Sequence, residues 1–202
     1  AILDSALVTA SRARAAIRRP LDTAARVSIW VVDVNGSPLG FVRSQDAPVF
    51  GIDVSLQKAR TAAFFSSPDA GDALTGAGLG GYVARTRGLI GPDGFSNGNA
   101  ITARAIGNMA RPFFPDGIDG NGPGPLSLPF PGTAPGPSWS PFNTGAQLDL
   151  VLGRLAQALT ASRPSSCTAF GSRVGNGIQI FPGSVPLDRK STRLNSSHAN
   201  IS

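Results

Sequence analysis

Arg43 and Lys58 are cations beside the best-marked local structure in the chain, residues 28–48, which read SIWVVDVNGSPLGFVRSQDAP. A guanidinium grips a carboxylate through two hydrogen bonds and an ammonium adds a point charge, so the pair suits a small anionic ligand. Trp30, Phe41, Phe64 and Phe65 could line an apolar slot beside them, with core packing as the alternative role of each. Asp33 and Asp46 flank the same hairpin. Asp46 suits a turn before Pro48. Arg43 could instead pair with either aspartate on the surface, where such pairs contribute only about 0–1 kcal/mol. Both roles stay open for Arg43.

Three other motifs suggest chemistry that their surroundings do not support. GAGLGG, Gly76 to Gly81, spells a dinucleotide fingerprint but lacks the strand before it and the acid after it, so it reads as a flexible loop. GFSNG, Gly94 to Gly98, matches a nucleophile elbow without a histidine base, and Ser96 reads as a helix-start residue. DGIDGNG, Asp116 to Gly122, gathers oxygen ligands at the wrong spacing for calcium and reads as a loop. No acid pair has the partner that general acid–base catalysis needs.

The elements that must carry these residues follow from periodicity. Residues 2–19 read as an amphipathic helix with Leu3, Leu7, Ala10 and Ile17 on one face, stopped by Pro20. Its four arginines form no single stripe and no aromatics are interleaved, which argues against nucleic acid. Val27 to Val34 reads as a strand, Asn35-Gly36 as a hairpin turn with positive φ angles, and Leu39 to Arg43 as the return strand. Asp53 is expected to cap a helix through Phe65, with Ile52, Leu56, Ala59 and Ala63 on one face and Lys58 and Thr61 offset towards a pocket or water. Residues 68–93 are glycine-rich and ambiguous. Ile101 to Arg111 reads as a helix with Ile101, Ala105 and Met109 aligned, and 112–141 as a long Pro/Gly loop. Thr144 and Gln147 match a capping box ahead of a Leu148, Leu152, Leu155, Leu159 stripe, and Gly177 to Phe181 alternates as a short strand.

No apolar run approaches the roughly 20 residues a membrane helix needs. Every acid is aspartate and nearly every base arginine, a bias that fits a GC-rich genome. The single cysteine, Cys167, excludes an internal disulfide and a multi-cysteine zinc site. Residues 189–202 shift to Ser, Asn, Lys and His and resemble translated adapter sequence, with a genuine polar tail as the alternative. They hold the only histidine, His198, a glycosylation-like Asn195-Ser196-Ser197, and three bases whose removal lowers the net charge of +6 to +3. That is ordinary surface charge, with no nucleic-acid signature. The start inside a helical pattern, without methionine, is read as a fragment or processed chain.

The segment VVDVNGSPLGFVRSQDAPVFGIDVSLQKARTAAFFSS resembles the GlcG/HbpS haem-binding family. The resemblance rests on Asp33, Gly36, Arg43, Asp46, Ala47, Lys58, Ala59, Thr61 and Ala62, and FPGSVPL resembles the family's late glycine-proline turn with Ser184 in place of a glycine. It implies an α+β fold, an antiparallel sheet flanked by helices of the PAS- or profilin-like kind. The domain would cover residues 1–188, with a Pro/Gly-rich insertion at about 68–176 and the family's final hairpin missing, which would leave an exposed sheet edge. It also implies haem or a small anionic ligand, assembly into a homo-oligomer, and a periplasmic or extracellular location. Haem needs an apolar slot, cations for two propionates and often an axial ligand. The resulting candidate set is Arg43, Lys58, Thr61, Phe64, Tyr82 and Met109, with Cys167 a further ligand candidate; core packing is the competing role of Met109. The leading expectation is a haem-binding or haem-sensing module without catalysis of its own. The alternatives are a ligand-free structural or oligomerisation module, and an enzyme of haem breakdown or glycolate use, for which the chain shows no catalytic set.

Overall fold

The β-branched run of the hairpin pairs as strands β1 (Ser28–Val32) and β2 (Pro38–Arg43) of an antiparallel sheet, with Trp30 opposite Phe41 and Val31 opposite Gly40. A computed structural model describes residues 1–16, 18–96, 99–128, 140, 142, 171–174 and 177–187. Ile17, the Thr144–Leu159 stripe, Cys167 and the segment 189–202 lie outside the described residues. The connecting turn is longer than a two-residue one. The Asp33 carboxylate accepts from the backbone N–H groups of Asn35 and Ser37, both at 2.8 Å, and only Gly36 takes a positive φ, +76°. A side chain at Gly36 would stand 2.7 Å from the Arg173 carbonyl oxygen, so glycine is demanded twice.

Helix α1 (Ile2–Arg12) and helix α2 (Gly51–Phe65) both pack on this hairpin, giving an α+β arrangement with helices flanking the sheet. Leu3 of α1 approaches Gly40 so closely that a Cβ there would lie 2.7 Å from its Cδ1. Trp30, on the alternate face from Val31 and Gly40, donates from Nε1 to the Ile52 carbonyl in the first turn of α2 at 2.8 Å. Helix α1 is shorter than its sequence pattern predicts. Beyond Arg12 the backbone turns extended, Ala25 N–H bonds to Ala13 O and Ala15 N–H to Thr23 O, and these non-local bonds win over another helical turn. Helix α2 begins at Gly51, with Asp53 inside its first turn and not at its cap, where a negative charge still opposes the helix dipole.

The glycine-rich stretch lies between two helices, which corrects the flexible-loop reading of GAGLGG. Helix α3 (Ala70–Leu74) and helix α4 (Gly80–Ile90) are joined through Thr75–Leu79, where the chain kinks at Gly78, φ +83°. Leu74 and Leu79, on either side of the kink, both enter the core with Tyr82 and Val83. Helix α5 (Ala103–Met109) follows, capped by Thr102 Oγ1, which accepts from Ala105 N–H at 3.1 Å. Ser96 starts no helix; it sits in a turn after Phe95, its N–H on Asp93 O. The core joins α2 to α4 and α5 through Phe64, Phe65, Phe95, Tyr82, Phe142 and Ile106, with Phe65 edge-on to Phe64 at 5.0 Å.

Residues 177–181 form no strand, contrary to their alternation. Gly177 N–H donates to the Val174 carbonyl at 2.8 Å, and two further backbone donors go to side chains: Gln179 N–H to Thr61 Oγ1 at 2.9 Å and Phe181 N–H to Gln179 Oε1 at 3.3 Å. The Gln179 amide also donates to Gln57 Oε1 at 3.0 Å. On the other side the segment touches α5, where a Cβ on Gly107 would collide with the Ile180 carbonyl oxygen. Residues 177–181 are thus a wedge between α2 and α5, held by buried polar groups that cost dearly if left unpaired.

Thr61→Val keeps the volume and removes the acceptor of a buried N–H, so it is expected to cost roughly 1–3 kcal/mol. Urea unfolding measures this; a midpoint equal to that of the parent chain would contradict the wedge.

Candidate functional site

The structure distributes the six sequence-predicted residues over two regions. Phe64, Tyr82 and Met109 share one core cluster, with exposures of 1%, 1% and 7%. Thr61 is fully buried, donating to Gln57 O at 2.8 Å while it accepts from Gln179. Burial raises the Tyr82 phenol above its ordinary pKa, so it stays protonated and donates to Leu128 O at 2.7 Å, with the Arg85 guanidinium 4.7 Å above its ring. Phe64 lies under the Arg173 guanidinium at 4.9 Å.

The cations stand elsewhere. Arg43 is exposed and donates to the Ala47 carbonyl across the turn that follows β2, and not to Asp33 or Asp46. Asp46 occupies that turn at φ +58°. Lys58 is half-buried, with Nζ 3.1 Å from where a side chain on Gly183 would begin, and no described residue pairs with it. No contact joins the two cations to each other among the described residues.

Two depressions, both open to solvent, lie against α5. The larger, about 410 Å³, is lined by Ile90, Ile101, Ala105, Met109 and Phe114, with Asn99 and Asn108 as polar members. The smaller, about 180 Å³, is lined by Arg104, Gly107, Asn108 and Arg111 with Ile180 to Pro182. Within α5 the positions follow from helical spacing: Ala105 and Met109 share one face and Arg104 and Asn108 the next, with Ile101 just before the helix and Arg111 just after it. Asn108 belongs to both depressions.

The surroundings of α5 fix this geometry. Ile101 N–H donates to Ser66 Oγ at 2.8 Å, and the Ser66 hydroxyl donates back to Ile101 O at 3.0 Å, tying the start of α5 to the end of α2. Ser184 Oγ accepts from Ala103 N–H at 3.3 Å. At the far end Leu126 N–H donates to Met109 O at 3.0 Å and Gly124 N–H to Arg111 O at 2.9 Å, satisfying carbonyls that the helix leaves open.

Haem can be tested against both regions. Beside α2 the Thr61 hydroxyl is committed and Phe64 and Tyr82 are sealed in the core, so those groups fit as packing. Beside α5 the walls are mainly apolar, a thioether lines the larger depression, and two guanidiniums line the neighbour; these residues fit an apolar macrocycle with anionic arms. Among the described residues no three of His, Cys, Asp and Glu cluster to hold a metal ion, and no helix is long and apolar enough to cross a membrane. Sequence reasoning missed Arg104, Asn108 and Arg111. Their spacing is a readable signal, but nothing local announced that Ile180 and Phe181 would close a cleft against them.

Hairpin, flanking helices and α5 cleft together define a helix-flanked α+β protein. A family described as Haem degrading protein HbpS-like matches residues 3–106, just over half of the chain, and the chain belongs to that HbpS-like family. The matched region runs from α1 into α5, so it extends well beyond the hairpin and α2 and stops short of residues 177–187. No curated protein and no solved structure matches the chain.

Desolvation by burial pushes Lys58 below its ordinary pKa of 10.5. Between the lowered folded value and 10.5 the unfolded chain binds the additional proton, so stability rises with pH across that window, and below it the buried charge is a cost. Lys58→Met is therefore expected to raise the urea midpoint at neutral pH and to flatten the alkaline rise. Identical pH profiles for the two chains would contradict this.

Proposed function

We propose that the chain is a haem-binding or haem-sensing module and that its ligand sits in the cleft along α5. The observation that carries this reading is a mainly apolar depression of about 410 Å³, open to solvent and lined by Met109, beside a second open depression lined by two arginines. Membership of an HbpS-like family supports a haem-related role. Bound haem would supply a redox-active iron, for which a methionine thioether is a known type of axial ligand. The chain's own residues would enclose the macrocycle with Ile90, Ile101 and Phe114 and offer Met109 to the metal. Assembly into a homo-oligomer and a periplasmic or extracellular location are proposals carried by the resemblance alone; light scattering and cell fractionation test them.

The family description speaks of haem degradation, which supports a second reading in which the chain breaks haem down. The two readings differ in what happens after binding. A bound Soret band that persists under oxygen and reductant fits a binding or sensing module; its steady loss with release of an opened tetrapyrrole fits degradation.

Titration with haemin is expected to give a saturable Soret band. Met109→Leu, which nearly conserves volume and removes the sulfur, is expected to shift that band while the fold stays intact. No saturable band in the parent chain overturns the proposal; an unshifted band in Met109→Leu removes Met109 from the site.

A further inference from the structure

Arg104, Asn108 and Arg111 recur at helical spacing along and just past α5 and line one small depression together. Arg104 is exposed and has no hydrogen-bond or ion-pair partner among the described residues. Arg111 is half-buried and uses one N–H on the Pro115 carbonyl at 3.0 Å, which leaves further donors of its fork unassigned. The Arg111 charge acts on Asp116, whose carboxylate already accepts from Ile118 N–H and the Asn121 side chain. Among the described residues neither arginine clamps a carboxylate in the way Arg173 clamps Asp69, at 2.8 and 3.2 Å.

We infer that Arg104 and Arg111 form a carboxylate-binding subsite that recognises the acidic arms of an apolar, tetrapyrrole-type ligand, independently of any metal the ligand carries. The inference rests on the haem reading above and adds which chemical group is recognised. The two adjoining depressions make complementary demands. A free inorganic anion would leave the apolar surface uncovered, and a neutral apolar molecule would make no use of the exposed Arg104 or of the Arg111 donors not spent on Pro115. A ligand with an apolar body and carboxylate arms meets both, with Asn108 at the junction able to donate or accept. Guanidinium forks match carboxylates with two parallel bonds, which makes arginine the suitable cation at this position. The wedge residues Ile180 and Phe181 form the far wall, so the subsite exists only while residues 177–181 stay docked.

The test compares haemin, metal-free protoporphyrin IX and haemin dimethyl ester, in which both propionates are capped, on the full chain and on Arg104→Gln and Arg104→Gln/Arg111→Gln. Arg104 is exposed and unpaired among the described residues, so the single variant is expected to fold as the parent does, with circular dichroism as the check. The parent is expected to bind haemin and protoporphyrin with similar affinity and the diester roughly tenfold or more weakly. The arginine variants are expected to lose affinity for the free acids and to bring acid and diester together, which a loss of packing alone would not do. Haemin binding with no preference over the diester, or unaffected by Arg104→Gln, overturns the subsite and leaves the haem reading standing. Binding of haemin without protoporphyrin overturns the claim of metal independence. Binding of neither porphyrin overturns both readings.

Discussion

The wedge at residues 177–181 governs the rest of the structure. A run without strand partners among the described residues is placed between two helices and tied to α2 through Gln179. Thr61 accepts from the Gln179 backbone N–H and Gln57 from its side-chain amide, while Gly107 removes the side chain that would stop Ile180 from reaching α5. Buried polar bonds of this kind add little net stability when made but are costly to break, so they specify one docked position. With the wedge in place, α5 presents one face to an apolar depression and the adjacent face to a cationic one. A second long-range tie works alongside it: Arg173 bonds Asp69, holding the Asp69 carboxyl below its ordinary pKa, and its carbonyl backs the hairpin turn at Gly36.

Much of the fold was legible because its signals are local. The hairpin follows from β-branched residues around Asn35-Gly36, α2 from its apolar stripe, and α5 from Ile101, Ala105 and Met109. The illegible parts depend on distant partners. Helix α1 stops at Arg12 because residues 13–15 bond to residues 23–25, which no periodicity in 2–19 reveals. GAGLGG joins two helices across a kink at Gly78, with Leu74 and Leu79 on either side of it both in the core. Residues 177–181 alternate like a strand, yet the buried polar member, Gln179, is spent on α2.

The proposed site was legible only in part, for a related reason. A family-like pattern at Arg43, Lys58 and Thr61 directed attention to the hairpin and α2. There the structure shows a turn contact at Ala47, a half-buried amine beside Gly183, and a hydroxyl that serves the wedge. Residue type identified groups capable of ligand contact without revealing which already had structural work. Met109 is the member of the predicted set that lines the α5 cleft. The arginines at 104 and 111 gain their meaning from Phe181 and Pro182, some 70 residues further on, and no reading of the helix alone would have brought these together.

The central claim is that ligand enters along α5 and not between the hairpin and α2. Backbone amide shifts of the labelled chain, followed while diamagnetic zinc protoporphyrin IX is added, test it most directly. The account predicts that perturbations gather at residues 99–115 and 180–182 and leave 43–58 unmoved. Perturbations centred on Arg43 and Lys58, with α5 silent, would contradict it.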